Sequence, residues 1–260
     1  MPSMYVDPSV SSKRRTFFSN NQAKFLGDIF DPAGPYFDIT VADFVAMFRH
    51  MASLDVAGIS PDTMRLYFAM FSNDTTVPPA LRNKFTIVFS AAKLIPGVNN
   101  EDGFFKDLGH YCNIAPGGSF DPANPEIDAT TASTWVSNWQ TLKLPMLPVD
   151  HTEPNMDNNG NFSDTKSVNY AWVGLLELIA EAECQVAEKL RFYIASYADG
   201  DGFFPKRLTT QIEFVDKNGI EIIIDTNGRT KSGIINPNFI SMDTGSPCPP
   251  ASGCQGVSLP

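Results

Sequence analysis

Histidine, cysteine and charge are all scarce in this sequence. Its three histidines (His50, His110, His151) are scattered over 260 residues. No His-Glu-x-x-His, Glu-x-x-His or His-x-His pair occurs, which removes the common zinc and di-iron patterns. Standing inside an apolar helical pattern, His50 reads as a hydrogen-bonded core or rim residue. The four cysteines (Cys112, Cys184, Cys248, Cys254) are too few to frame a fold of this length with disulfides. Cys248 and Cys254 bracket a short loop that is not a zinc spacing, and their pairing is left open.

Charged residues make up 18%, and the 19 basic ones are outnumbered by 29 acidic ones, for a net charge of −10. Phosphate recognition needs a cationic stripe, whereas the one basic run is Lys13-Arg14-Arg15, so nucleic acid is not an expected partner. No stretch of about 18 apolar residues offers a transmembrane helix. The first ~30 residues hold no apolar segment of signal-peptide type. Membrane insertion is therefore not expected, and a cytoplasmic location is. Gly-x-Ser-x-Gly, the phosphate-binding glycine loop and Gly-x-Gly-x-x-Gly are missing too.

What is present is a large apolar fraction, 43%, with 20 phenylalanines, enough for a sizeable core. There is also an internal echo. Met64-Arg65-Leu66-Tyr67-Phe68-Ala69-Met70-Phe71 matches Leu190-Arg191-Phe192-Tyr193-Ile194-Ala195-Ser196-Tyr197 at an offset of 126 positions. Identities fall at Arg65/Arg191, Tyr67/Tyr193 and Ala69/Ala195, and further on at Pro79/Pro205. A doubled unit implies a two-lobed, pseudo-symmetric architecture.

Thr40 is a candidate helix N-cap with Asp43 three residues on, and Val41, Phe44, Val45, Phe48 and Met51 or Ala52 follow at helical spacing. Gly58 and Pro61 end that helix. Met64–Phe71 and Phe85–Phe89 read as strands. In the second unit, Tyr170 to Ala198 looks like one long helix when taken alone. The match to Met64–Phe71 instead predicts that the helix stops near Ala187 and a strand begins at about Lys189, with alternation that suits it. Thr210–Val215 is the next strand, Asp216-Lys217-Asn218-Gly219 a turn, and Ile220–Ile224 a further short strand. Between the units, Phe104–Cys112 and Ala129–Leu142 are helical candidates in a region otherwise dense in Pro, Asn, Gly and Asp.

The expected fold is α+β: two pseudo-repeated helix–strand–strand units forming antiparallel sheet with helices on one face, wrapped by long Pro/Asn-rich segments. The boundaries are an extended N-terminal arm at 1–36, a first unit at 37–95, an insertion at 96–165, a second unit at 166–226 and an extended tail at 227–260.

The second half also resembles a family of uncharacterised small proteins common in Bacteroidetes-type genomes, with an "IRIYYA"-like strand, a "DxNG"-like turn and a "PCPP" tail. The residues concerned are Leu190–Ala195, Phe214–Gly219 and Gly245–Pro250. This resemblance brings no known activity and transfers no catalytic residues.

Candidate site residues are few. Asn155, Asp157 and Asn159, with Gly160, follow the start of a calcium loop, but Lys166 stands where a bidentate glutamate is required. Asp199 and Asp201 form a second acidic loop able to hold a hard cation. Glu177, Glu181 and Glu188 recur along one helix face and read as solvated. Trp135 and Trp139, at i, i+4, either stack a ligand or anchor their helix to the core.

No catalytic residues and no cofactor are expected. The leading expectation is a non-enzymatic structural protein that self-assembles into a homo-oligomer, a filament or tube being the form in view. The alternatives are a metal-dependent enzyme or ligand-binding protein using Asp157/Asp164 or Asp199/Asp201, and a carbohydrate- or peptide-binding module using Trp135, Trp139 and Trp172.

Overall fold

The alternation of Arg65, Tyr67 and Ala69 against Leu66, Phe68 and Met70 is that of a strand with two unlike faces, and both copies of the motif form one. A computed structural model describes residues 8–30, 34–95, 104–115, 117–147, 167–197 and 208–222. Its elements in chain order are α1 (Pro8–Asn21), β1 (Tyr36–Thr40), α2 (Val41–Ala52), β2 (Thr63–Met70), β3 (Phe85–Ile95), β4 (Phe104–Cys112), α3 (Ala129–Leu142), β5 (Ser167–Ala171), α4 (Trp172–Cys184), β6 (Lys189–Ser196) and β7 (Leu208–Val215). The fold is α+β with two antiparallel sheets, ordered β4-β3-β2-β5 and β1-β6-β7.

The halves run in the same order, strand–helix–strand–strand, as β1-α2-β2-β3 and β5-α4-β6-β7. Each opening strand pairs in the other half's sheet. Thr40, last in β1, faces Lys189, first in β6; Ala171, last in β5, faces Thr63, first in β2. The hydrogen bonds around these junctions correspond as well. Val41 N donates to Glu188 O at 3.0 Å and Trp172 N to Asp62 O at 2.9 Å. Asp62 N donates to Ala92 O at 3.0 Å and Glu188 N to Val215 O at 2.9 Å.

One apolar core lies between the sheets. Met64, Leu66, Phe68, Ile87 and Phe89 line it from one side, and Ile39, Leu190, Phe192, Ile194 and Phe214 from the other. Phe192 meets Phe89 with ring centroids 5.9 Å apart, and Tyr170 on β5 hydrogen-bonds Thr210 on β7 at 2.6 Å. Phe44, Met47, Phe48 and Met51 of α2 and Leu175, Leu178 and Ala182 of α4 enter the same core.

The outward faces are covered separately. Ala132 and Val136 of α3 pack on Tyr67, Ala69, Val88 and Tyr111, while α1 lies against β6. Helices thus flank the sheets on both faces rather than one.

Several expectations are corrected. Residues 8–21 are a helix, not an extended arm. Its buried positions are Ser11, Arg14 and Phe18. They keep helical spacing but carry polar groups, so no apolar periodicity announces the helix. Phe104–Cys112 is the edge strand β4, not a helix. A bulge opposite Ser90/Ala92, with Gly109 at φ +80°, breaks the two-residue period and leaves an apolar spacing that mimics a helix. The stretch called an insertion therefore builds part of the core through β4 and α3. The five-residue strands β1 and β5 run straight into their helices with no loop to mark them.

Thr40 caps α2 as its sequence predicts, accepting from Asp43 N at 3.0 Å, and α3 spans the expected Ala129–Leu142. α4 ends at Cys184 and β6 begins at Lys189, as the duplicated motif predicts. The Asp216 side chain accepts from the amides of Asn218 and Ile220 at 2.8 and 2.9 Å, building the turn after β7. Of the expected strand Ile220–Ile224, the described part shows Glu221 bridged to Val215. Among the described residues no helix is long and apolar enough to cross a membrane.

Candidate functional site

Each copy of the Arg-x-Tyr motif aims its polar side chains at the outer face of its sheet, where neighbouring strands complete a row. In the first row Asn169 (β5), Arg65 (β2) and Ser90 (β3) are cross-strand partners; in the second they are Asp38 (β1), Arg191 (β6) and Glu213 (β7). The two rows are laid out alike, but their chemistry differs.

In the first row Arg65 is buried. Its Nε donates to Asn169 Oδ1 at 2.9 Å, Nη1 to Tyr67 Oη at 3.1 Å and Nη2 to Phe105 O at 2.9 Å. Tyr67 Oη donates to Asp107 Oδ2 at 2.8 Å, and Ser90 Oγ donates to the other carboxylate oxygen. Burial raises the Asp107 carboxyl despite the opposing bonds from Ser90 and Tyr67, and burial likewise raises the Tyr67 phenol. Every member is satisfied inside the protein, so this row holds strands together and presents nothing to a ligand.

The second row lies beneath α1. Arg191 makes a two-pronged contact with Asp38, Nε to Oδ1 at 2.7 Å and Nη2 to Oδ2 at 3.0 Å, and its guanidinium stacks 4.2 Å from the Tyr36 ring. Arg15 of α1 reaches Glu213 at 3.0 Å and Glu221 at 3.5 Å while covering the Tyr193 ring at 4.4 Å. Tyr193 Oη donates to Glu221. Burial, reinforced by the neighbouring Glu221, pushes the Glu213 carboxyl up to about 8. Burial also pushes Glu221 up, but bonds from Glu213 and Tyr193 outweigh it and leave that carboxyl lowered. The two carboxyls titrate together, the enclosed one raised and the outer one lowered. Among the described residues the Glu213 side chain is fully enclosed.

Two of the histidines that sequence spacing kept apart are brought together by the fold. His50 on α2 (Nε2) and His110 on β4 (Nδ1) approach Glu126 Oε1 at 2.8 and 3.0 Å, joining two elements through the segment before α3. Separations of 76 and 16 residues give sequence spacing no means of finding this contact. Among the described residues no group of three or more His, Cys, Asp or Glu is arranged to hold a metal.

The sequence-derived candidates fare unevenly. Asp157, Asn159, Asp164, Asp199 and Asp201 lie outside the described residues, as do Cys248 and Cys254. Trp139 has 0% exposure and packs on Phe68 and Phe85, so it anchors α3 and offers no stacking platform. Trp135 lies edge-on to Phe71 at 4.7 Å and Trp172 edge-on to Phe48 at 5.5 Å.

No protein-family profile, curated protein or solved structure matches this chain.

Most of the large apolar side chains exposed among the described residues fall into two sets, with Ile220 after β7 standing apart. Val173 and Leu176 on α4 are more than half exposed, and Ala180 and Cys184 continue their line at i+7 and i+11. Val186, just past the helix, is 83% exposed. The second set is a corner where the 3-10 turn Ala23–Phe25 meets the end of α3, tied by Lys143 Nζ donating to Leu26 O at 3.0 Å. Phe25, Leu142 and Met146 are exposed there. The sequence hid both sets, since Val173 and Leu176 carry the same apolar signal as the buried residues beside them.

Proposed function

We propose that this chain is a non-enzymatic structural protein that assembles with copies of itself into an extended homo-oligomer of filament or tube form. The observation that carries the reading is the pair of exposed apolar sets on different elements, α4 and the Phe25–Leu142–Met146 corner. Large apolar side chains grouped on a surface mark contact sites. Two unlike sets on one molecule suit a head-to-tail contact, which closes into a ring or propagates as a helical polymer. The reading is further supported by the polar rows, whose ionisable groups are spent on one another.

The test is sedimentation velocity and negative-stain microscopy of the purified chain across concentration. Mass that rises with concentration and elongated particles are expected. A monodisperse monomer throughout would overturn the reading.

A further inference from the structure

We infer that the two apolar sets are the two halves of one contact: the α4 surface of one copy docks on the Phe25–Leu142–Met146 corner of the next. The inference rests on the assembly reading above and names the surfaces that meet.

Charge supplies the first argument. α4 contains Glu177, Glu181 and Glu183 and no lysine or arginine, and Glu188 follows it; the first basic residue after the helix is Lys189. The corner is ringed by the opposite sign. Lys24 Nζ sits 5.1 Å from the Phe25 ring centre, Lys143 Nζ bonds Leu26 O, and Lys84 Nζ bonds Asp28 O. Asp28 is the one acid among these residues. Docking α4 on a second α4 would set glutamates against glutamates, and corner on corner would set lysines against lysines. Only the unlike pairing places opposite charges around joined apolar centres.

Backbone strain supplies the second. Val186 has φ +54°, in the left-handed region that a β-branched residue avoids. It closes the end of α4, where Val186 N donates to Glu183 O at 3.1 Å and Ala187 N to Ala182 O at 2.9 Å, a position that glycine normally fills. In the isolated chain the Val186 side chain is 83% exposed and buries little to offset that strain. A partner packed over the end of α4 would use its side chain.

Two exposed substitutions test the contact: Leu176→Lys on α4 and Met146→Glu at the corner. Circular dichroism and melting temperature should match the parent for both; if either variant misfolds, Val173→Lys and Phe25→Glu replace them. In sedimentation velocity each variant alone is expected to run as a monomer under conditions where the parent polymerises. Mixed one to one, the intact corner of the first meets the intact α4 of the second, and species of two chains and no more are expected. A dimer from either variant alone would mean a symmetric contact and overturn the inference. So would polymers from both variants, or a mixture that stays monomeric. A parent chain that never associates overturns the assembly reading instead, so the two failures are told apart.

Discussion

Arg65 ties the first sheet together, because three acceptors on β5, β2 and β4 depend on its guanidinium. Arg65→Ala removes its three hydrogen bonds to buried Asn169, Tyr67 and the Phe105 carbonyl, and a loss of about 3 kcal/mol is expected in urea unfolding. Glu213 makes the opposite kind of demand. Its carboxyl stays protonated up to about pH 8 in the folded chain and ionises near its ordinary 4.5 in the unfolded one. The unfolded state therefore releases its proton first, and stability from this group drains away as pH rises from 4.5 toward 8. Glu213→Gln should remove that drain, so its melting temperature relative to the parent rises steadily between those limits; a constant offset would contradict it. At Val186 the expected gain is simpler. Val186→Gly relieves left-handed strain worth about 1 kcal/mol in the isolated chain, read as a higher melting temperature of the monomer.

Among the elements, α2 and α4 occupy corresponding places but start differently. Thr40 caps α2, whereas Ala171 stands at the same point of α4 with no side-chain bond. Ala171→Ser supplies the missing acceptor and should stabilise the chain by roughly 0.5–1 kcal/mol, measured by chemical denaturation. The contrast also shows what the sequence could disclose. Helix α2 was legible because a cap and an apolar stripe agree, and β6 because Arg191-x-Tyr193-x-Ala195 repeats a clearer strand. Helix α1 was not, since Ser11 and Arg14 bury polar groups against Gln211 and Tyr197 instead of an apolar stripe. β4 was misread because one bulge at Gly109 erases strand alternation. The glutamate–histidine contact and the outer polar rows depend on which strands become neighbours, and neither half alone states that. Trp139 was legible only as a choice, and its enclosure by Phe68 and Phe85 decides for the anchor.

For the whole molecule, polymerisation through unlike charged rims implies sensitivity to ionic strength. Raising salt from about 0.05 to about 0.5 M shrinks the screening length severalfold and should shorten the polymers, while a contact held by apolar area alone would persist. Light scattering during a salt titration reads the difference. The melting of a single chain should be one cooperative transition, because the phenylalanines of both sheets share one core.

The reciprocal placement of β1 and β5 carries this further. Each half lends its first strand to the other, like two hands gripping each other's wrists, so neither possesses a finished sheet of its own. A protease that nicks the backbone between α3 and β5 would cut the covalent thread without freeing either piece. The fragments should elute together on a native column and part only in denaturant.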